Sequence, residues 1–197
     1  MNHLSGRSVL ILGLGASGLA MARWCLRHGA RVQVWDSREQ PPMRPALEQA
    51  GADVTWLRGP LDPAVLMDVH LVLKSPGLSP RDPQISSLLQ AAQADRVAVA
   101  GELALFARAL ADLKAVRGYE PQVLAITGTN GKTTTTQLTA LLVQRCGRRV
   151  AVAGNIGPTL LDTLTAALDA DRLPEVWVLE LSSFQLDEVS AFEASAA

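Results

Sequence analysis

The sequence is poor in cysteine and histidine and has almost no net charge. Its 197 residues include three histidines and two cysteines, Cys25 and Cys146, which do not have the spacing of a metal site. Because both cysteines fall in apolar stretches of predicted helix, we expect buried thiols in a reducing cytosol rather than a disulfide. Eighteen basic and nineteen acidic residues give a net charge of −1. This balance indicates neither a nucleic acid nor an acidic membrane surface as a partner.

The sequence also lacks a hydrophobic run long enough to cross a membrane. The apolar stretch 9–22 contains three glycines and is preceded by Arg7 as its only basic residue. It is too short to span a bilayer and does not have the pattern of a signal peptide, so we expect a cytoplasmic protein. A hydrophobic content of 48% with 19% charged residues is ample for a buried core.

Apolar runs alternate with helical patterns along the chain, which predicts an α/β fold with parallel sheets. The predicted strands are 9–12, 32–35, 71–74, 123–127, 150–153 and 176–181. The predicted helices are 17–28, 44–50, 84–94, 102–116, 133–145 and 159–170. Two glycine-rich loops each follow a strand, so we expect a Rossmann-like domain over 1–100 and a P-loop domain over 101–197. The segment 192–197 has no pattern of a closing strand, so we interpret the second domain as incomplete.

The most informative segment is Thr127-Gly-Thr-Asn-Gly-Lys-Thr133, which lies between a predicted strand and a predicted helix. Glycines let backbone N–H groups turn toward phosphate oxygens, and the helix N-terminus adds partial positive charge. Lys132 is placed to reach the terminal phosphates of a nucleotide, and the Thr133 hydroxyl is placed to bind Mg²⁺. The general G-x-x-x-x-G-K-[ST] pattern is not met, because Ile126 stands five residues before Gly131. The alternative is a glycine-rich turn with an incidental lysine.

A second glycine motif, Gly13-Leu-Gly-Ala-Ser-Gly18, follows the first predicted strand and opens a helix, and Asp36 ends the next strand. This arrangement is typical of a dinucleotide site, so an NAD-binding module is an open alternative. A triphosphate-type loop is not needed by a simple dehydrogenase, however, and Ser17 offers a hydroxyl to a sugar diphosphate. In a parallel sheet, the turn Ser75-Pro-Gly77 is expected beside this loop.

The predicted strand 176–181 carries one carboxylate, Glu180, near its end. A carboxylate there, beside a phosphate loop in a parallel sheet, is where Mg²⁺ is commonly held. The loop that begins Gly154-Asn155 is expected at the same edge, where the Asn155 amide can contact a ligand. The alternative for Glu180 is an exposed residue at a strand terminus.

Together these motifs resemble those of the Mur ligase family, the ATP-dependent amide-forming enzymes of peptidoglycan assembly. The resemblance spans essentially the whole chain and rests on Gly13 to Gly18, Ser75 to Gly77, Thr127 to Thr133 and Leu179-Glu-Leu-Ser-Ser-Phe-Gln185. The last motif is similar to that of the member that adds D-glutamate to UDP-N-acetylmuramoyl-L-alanine through an acyl phosphate. The resemblance therefore implies a cytoplasmic ligase of cell-wall synthesis that uses ATP and Mg²⁺ and is a monomer at full length.

The resemblance also implies site residues, with Lys132, Glu180 and Asn155 as the catalytic ones. The uridine and diphosphate would contact Ala16, Ser17, Asp36, Ser37, Arg38, Ser75 and Gly77. ATP would contact Gly128, Thr129, Asn130, Gly131, Lys132, Thr133 and Thr134, with Mg²⁺ on Thr133 and Glu180. The muramoyl-alanine end would face Asn155, Ser182 and Gln185.

The family pattern is a three-domain enzyme, of which we expect this chain to contain the first domain and part of the second. The family's metal-binding histidine and carbamylated lysine are expected further along, since His3, His28 and His70 all lie in the first domain. The D-glutamate-binding domain is expected there too. We therefore expect these 197 residues alone to make no ligase product. A different P-loop ATPase is the main alternative, but it gives no reason for the N-terminal glycine loop.

Overall fold

The computed structural model describes residues 2–51, 53–187, 189 and 192–197. The chain divides into two compact units, Met1–Glu102 and Leu103–Ala197. Each unit contains one sheet, and the strands in both sheets pair in parallel. The predicted α/β class is confirmed.

The first unit is a five-stranded sheet with the strand order β3-β2-β1-β4-β5. Its elements are β1 (Ser8–Leu12), α1 (Ala16–Arg27), β2 (Arg31–Trp35), α2 (Arg44–Gln49), β3 (Val54–Trp56), β4 (Leu71–Lys74), α3 (Pro83–Ala94) and β5 (Ala98–Ala100), with 3₁₀ turns at Asn2–Leu4 and Pro63–Asp68. The edge strands β3 and β5 were not predicted, because three residues are too few to establish an alternating pattern.

The central strand β1 shows why these runs become strands. All five of its residues, Ser8 to Leu12, are buried, as expected for a parallel strand with both faces covered. One face packs into a core that includes Leu10, Trp35, Val72 and Leu88. Burial of such a side chain stabilises the fold by about 1.5–3 kcal/mol, which outweighs the intrinsic secondary-structure propensity of a single residue.

Helix starts in both units follow signals visible in the sequence. Asp82 caps α3 by accepting a hydrogen bond from the Gln84 backbone N–H at 2.9 Å, and proline follows as the first helical residue. Thr159 caps the helix that begins at Leu160, and its hydroxyl accepts from the Asp162 N–H at 3.4 Å. These caps fix where each helix begins relative to the preceding strand or loop.

The second unit is a three-stranded sheet with β8 between β6 and β7. Its elements are α4 (Glu102–Arg117), which begins at the unit boundary, β6 (Gln122–Ile126), α5 (Lys132–Arg145), β7 (Val150–Gly154), α6 (Leu160–Asp169), β8 (Val176–Glu180) and α7 (Ser183–Asp187). All five residues of β8 are buried. Outside the strands, Ala196 forms an isolated parallel bridge with Leu124 of β6. No described helix is long and apolar enough to cross a membrane.

The two cysteines differ in their surroundings. Cys25 is buried in α1, and burial raises the pKa of its thiol to about 12. Cys146 is exposed, because it lies just after the last turn of α5 rather than on its packed face. The expectation of two buried thiols is therefore right for Cys25 and wrong for Cys146.

A buried aromatic group joins the strand β8 to the connection between α4 and β6. The Trp177 indole donates to the Tyr119 hydroxyl at 2.9 Å, and that hydroxyl donates to the Pro174 carbonyl at 2.6 Å. Phe106 of α4 meets the Trp177 ring edge-on, with centroids 5.0 Å apart. Burial raises the pKa of Tyr119 to about 12, although the Trp177 hydrogen bond and the charge of Arg149 oppose the shift. The phenol is therefore a neutral link at physiological pH.

We expect Tyr119→Phe to lower the free energy of unfolding of the second unit by about 1–3 kcal/mol. The change removes only the hydroxyl and leaves the Trp177 N–H and the Pro174 carbonyl without this partner. Urea denaturation followed by circular dichroism measures the effect. Val116→Ala, at a side chain that is 78% exposed, is the control and should change stability by less than about 0.5 kcal/mol. Equal stability of the two variants would contradict the prediction.

Candidate functional site

The glycine loop of the first unit connects β1 to α1, and its three glycines have different surroundings. A Cβ on Gly18 would lie 2.0 Å from the carbonyl oxygen of Gly13, so the helix and the strand end approach too closely for any side chain. Gly13 has a φ of +83°, which favours glycine. A Cβ on Gly15 would have no heavy atom within 4 Å, so the backbone there borders open space. Two glycines therefore serve packing and the turn, and the middle one leaves room for a ligand.

The turn after β4 is fastened directly to this loop. The Ser75 hydroxyl donates to the Gly13 carbonyl oxygen at 2.7 Å, and the Ser75 N–H donates to the Leu12 carbonyl at 2.9 Å. The Leu78 N–H donates to the Ser75 carbonyl at 3.1 Å and closes a turn around Pro76 and Gly77. Ser75, one of the residues predicted to contact the uridine diphosphate, thus holds the glycine loop in place through its hydroxyl.

Asp36, which follows β2, is engaged on both carboxylate oxygens. Oδ2 accepts from the Leu14 N–H at 2.6 Å and from Arg38 Nη2 at 2.8 Å. Oδ1 accepts from the Arg38 N–H at 2.9 Å and from Nε at 2.8 Å. The Asp36 side chain is 3% exposed and that of Arg38 is 53% exposed. Asp36 therefore holds Arg38 beside the glycine loop and leaves much of the guanidinium open to solvent.

The hydrogen bonds at Asp36 also set its ionisation. Burial favours the neutral carboxyl, but the hydrogen bonds from Arg38 and from the Leu14 N–H, with the charge of Arg38, outweigh burial and lower the pKa of Asp36. The same pairing raises the pKa of Arg38. The pair is therefore fully ionised at neutral pH.

These three loops enclose a cavity of about 440 Å³ at the carboxyl ends of the strands. This is the crevice where parallel α/β sheets bind ligands. Its lining includes six of the predicted residues, Ala16, Ser17, Ser37, Arg38, Ser75 and Gly77. Asp36 does not line it. Pro76 and Leu78 line it and were not predicted as site residues, although Pro76 lies in the turn Ser75-Pro-Gly77 that was recognised.

A larger cavity of about 680 Å³ is lined by Asp36, Ser37 and Arg38 and extends toward β3. Trp56 lies in its wall, with the Arg44 guanidinium 4.6 Å from the ring centroid. Sequence reasoning missed this wall because it missed β3. The run Val54-Thr-Trp56 was the available signal, since these residue types favour strands.

In the second unit, the phosphate-type loop has the expected place between β6 and α5. Gly131 lies just before the helix with a φ of +76°, and Gly128 has a φ of +141°. The Thr135 N–H donates to the Gly131 carbonyl at 2.9 Å, so the amides of Lys132 to Thr134 precede the first helical hydrogen bond. The Lys132 ammonium donates to the Gly128 carbonyl at 2.7 Å and so lies over the loop. Amides and lysine together form an arrangement suited to an anion.

Glu180 and Asn155 meet at the same sheet edge. Glu180 is in register with both Ile126 and Gly154 on the flanking strands, and it is 3% exposed. The Asn155 side-chain amide donates to Glu180 Oε1 at 3.3 Å, and its backbone N–H donates to the Glu180 carbonyl at 2.7 Å. The alternative of an exposed Glu180 is therefore wrong. A Cβ on Gly154 would lie 2.1 Å from the Glu180 carbonyl oxygen, so this close contact requires glycine.

Ser182 and Gln185 contact each other at the start of α7. Gln185 Oε1 accepts from the Ser182 N–H and hydroxyl, each at 3.0 Å, and the Gln185 N–H donates to the Ser182 hydroxyl at 3.3 Å. This reciprocal pattern is a capping box. Gln185 is 6% exposed. Their contact with a ligand stays a prediction.

The donor set near the phosphate-type loop suits Mg²⁺, which prefers oxygen ligands and commonly uses few protein groups together with phosphate oxygens. The Thr133 hydroxyl and the Glu180 carboxylate supply oxygens of this kind. Among the described residues there is no group of three or more His, Cys, Asp or Glu side chains that could hold a metal. A magnesium ion at this edge would therefore complete its ligands with water and phosphate oxygens.

Two family models match the chain. Residues 7–101 match the Mur ligase MurD-like N-terminal domain, and residues 126–196 match the Mur ligase middle domain. The chain belongs to the Mur ligase family. Both glycine loops lie within or at the edge of these matches, which agrees with the motifs that carried the resemblance.

Three relatives of this Mur ligase chain share 58% identity with it. They are UDP-N-acetylmuramoylalanine--D-glutamate ligases of Albidiferax ferrireducens, Ralstonia nicotianae and Burkholderia multivorans. The alignments cover 100%, 98% and 96% of this chain but only 39%, 39% and 38% of the relatives. The chain thus spans about two fifths of the length of these ligases. Among solved structures, a pseudomurein peptide ligase type C from Methanothermus fervidus aligns with 90% of this chain and 33% of its own, at 20% identity and a TM-score of 0.43.

We expect Gly18→Ala to destabilise the first unit by about 3 kcal/mol or more, because its Cβ would overlap the Gly13 carbonyl. Gly77→Ala is the matched control, since nothing lies within 4 Å of its Cβ position and its φ is not positive. That variant should change stability by less than about 0.5 kcal/mol. Urea denaturation compares the two, and a Gly18→Ala chain as stable as the control would contradict the close approach.

A second prediction concerns pH. Because the native pKa of Asp36 is lowered, its stabilisation is complete above the unfolded value of about 3.9 and is lost as pH falls through the native pKa. Asp36→Asn should therefore melt below the wild type at neutral pH, and the gap should narrow below about pH 4. Glu39→Gln, at an exposed neighbour, is the control. A gap that stays constant down to acid pH would exclude ionisation as the cause.

Proposed function

We propose that this chain supplies the UDP-substrate domain and part of the ATP-binding domain of a D-glutamate-adding Mur ligase. In this proposal residues 1–100 hold the uridine diphosphate end of UDP-N-acetylmuramoyl-L-alanine, and residues 101–197 hold ATP. The enzyme acts in the cytoplasm on peptidoglycan precursors. Support comes from three relatives named UDP-N-acetylmuramoylalanine--D-glutamate ligase, which are 58% identical to this chain over 96–100% of its length.

The observation that carries the first assignment is the 440 Å³ cavity, where the glycine loop, the exposed Arg38 guanidinium and the Ser75 turn converge. The N-terminus of α1 opens into this region through Gly15, Ala16 and Ser17, and a helix N-terminus attracts phosphate. Arg38 can add charge-assisted hydrogen bonds to phosphate oxygens. A diphosphate therefore has both backbone donors and a cation within one crevice.

The geometry of Asp36 argues against NAD at this site. In a dinucleotide site, the acid that ends the second strand accepts hydrogen bonds from ribose hydroxyls. Here both oxygens of Asp36 already accept from Arg38 and from the Leu14 N–H, and the side chain is almost fully buried. We therefore assign Asp36 a role in holding Arg38 and the glycine loop around the uridine diphosphate.

In the second unit, the loop Gly128–Thr134 would hold the ATP phosphates. The amides of the first turn of α5 supply donors, and Lys132 can move from the Gly128 carbonyl to a phosphate oxygen within the same loop. Thr133 and Glu180 would hold Mg²⁺, which neutralises phosphate charge when bound. Asn155 fixes Glu180, and with Ser182 and Gln185 it would face the muramoyl-alanine end.

This arrangement suits activation of a carboxylate. A carboxylate is a poor electrophile, so the alanine carboxylate is first phosphorylated by ATP, and the D-glutamate amine then attacks the acyl phosphate and releases phosphate. Phosphoryl transfer depends mainly on positioning and charge neutralisation. The contribution of this chain is therefore to bring the γ-phosphate and the carboxylate together. The whole reaction also requires a site for D-glutamate.

Calorimetric titration of the 197-residue chain with UDP, ATP with Mg²⁺, and NAD⁺ tests the proposal. We expect UDP and ATP to bind and NAD⁺ to bind more weakly than UDP. Lys132→Ala should weaken ATP binding about tenfold or more, because it removes a charged phosphate contact, and should leave UDP binding unchanged. Lys114→Ala, at an exposed lysine of α4, is the matched control.

Three outcomes would contradict parts of this proposal. Tighter binding of NAD⁺ than of UDP would favour the dinucleotide alternative for the first unit. ATP binding without UDP binding would favour a different P-loop ATPase. Unchanged ATP affinity in Lys132→Ala would show that the Gly128–Thr134 loop is not the ATP site.

A further inference from the structure

Lys74, the last residue of β4, is buried to an unusual degree for a lysine. Its exposed fraction is 5%, and lysine is almost never fully buried unless its charge is partnered. The ammonium donates to the Leu78 carbonyl at 3.0 Å and to the Ser75 carbonyl at 3.3 Å. These carbonyls belong to the first and last residues of the turn after β4. One side chain thus bridges both ends of that turn.

The bridged turn is part of the cavity wall. All four of its residues, Ser75 to Leu78, line the 440 Å³ cavity, whereas Lys74 itself does not. The Ser75 carbonyl that receives Lys74 also accepts the Leu78 N–H at 3.1 Å. The ammonium therefore adds a charge-assisted link to a turn that is otherwise closed by one backbone hydrogen bond.

The Ser75–Leu78 turn also fixes the position of the glycine loop. The Ser75 hydroxyl donates to the Gly13 carbonyl, and the position of a Cβ on Gly13 lies 3.1 Å from Leu78 Cδ1 and 3.2 Å from Ser75 Cβ. These two residues therefore leave little space for a side chain at Gly13. Displacement of Ser75 would also disturb the start of the glycine loop, because its hydroxyl is bonded to the Gly13 carbonyl.

We propose that Lys74 is a positioning residue, which holds the Ser75–Leu78 turn against Gly13 and so sets the spacing between the two loops that receive the diphosphate. The proposal rests on the function proposed for the first unit. Lys74 acts through backbone carbonyls and does not touch the ligand. Two of its hydrogen bonds run to the carbonyls that define the turn, and this distinguishes it from a lysine that merely fills space.

The test compares Lys74→Met, which keeps the length and loses every donor, with Lys74→Gln, which keeps an N–H₂ group able to donate to a carbonyl. Hydrogen exchange in the ligand-free chain reports the turn itself. We expect the Leu78 amide to exchange about tenfold faster in Lys74→Met, with much of the protection restored in Lys74→Gln. Lys114→Met is the matched control and should leave this amide unchanged.

Calorimetry on the same variants reports the site. UDP affinity should fall about tenfold in Lys74→Met and recover partly in Lys74→Gln, while ATP affinity stays within about twofold of the wild type. Ser75→Ala removes the link between the turn and Gly13. If Lys74 acts through that link, Lys74→Met combined with Ser75→Ala should lose little more UDP affinity than the weaker-binding single variant.

Unchanged Leu78 exchange in Lys74→Met would overturn the proposal whether or not the chain binds UDP. Faster exchange with unchanged UDP affinity would overturn the link to the diphosphate site and leave the proposed function intact. A wild-type chain that does not bind UDP contradicts the proposed function instead. If Lys74→Met does not fold, the test rests on Lys74→Gln. A wild-type rate of Leu78 amide exchange and wild-type UDP affinity in Lys74→Gln would rule out a need for the ammonium. A partial loss of protection and of UDP affinity would support the proposal.

Discussion

In each unit one glycine near the carboxyl end of a parallel strand lies too close to a neighbouring backbone carbonyl for any side chain to fit. In the first unit the Cβ position of Gly18 is 2.0 Å from the Gly13 carbonyl, and in the second that of Gly154 is 2.1 Å from the Glu180 carbonyl. No side chain can occupy either position. This constraint lets α1 pack close to the end of β1 and lets the loop after β7 close over the end of β8. The placement of the functional groups follows from it.

Several polar side chains at these edges hold loops together. Asp36 links the loop after β2 to the glycine loop through the Leu14 N–H, and Ser75 links the turn after β4 to Gly13. Asn155 joins the loop after β7 to Glu180, the last residue of β8. Residues with ligand-type chemistry thus first serve to arrange the groups that would meet a ligand. A site built in this way is organised before any ligand arrives, which lowers the entropic cost of binding.

Sequence reasoning predicted those features that depend on local or periodic signals. The six predicted strands all exist with bounds within one residue, because each contains an apolar run. The glycine loops were found because backbone conformation restricts residue choice at each position. The edge strands β3 and β5 were missed because three residues give no period. Cys146 was misplaced because an apolar helix pattern does not show where the packed face ends.

The partners of the polar residues could not be predicted, because they are distant in sequence. Ser75 contacts a carbonyl 62 residues away, and Asp36 contacts an amide 22 residues away. Sequence reasoning placed both residues at the sheet edge and predicted ligand contacts for them, which stay predictions, but it did not predict these hydrogen bonds. In the sequence Lys74 is the polar residue that ends an apolar strand. The neighbouring residues give no indication that its ammonium donates to the carbonyls of the turn that follows. Only the tertiary structure shows these hydrogen bonds.

A chain with a net charge of −1 can still contain two proposed phosphate sites, because local potential rather than total charge governs binding. At each site the donors are mostly backbone amides at a helix start, whose direction is set by the loop. The cations are few, and both are tethered: Arg38 to Asp36, and Lys132 to the Gly128 carbonyl. Charge at these sites is therefore useful only while the loops keep their shape. In the first unit the close contact of Gly18 with the Gly13 carbonyl helps to fix that shape, so the packing and the electrostatics of that site depend on the same stretch of backbone.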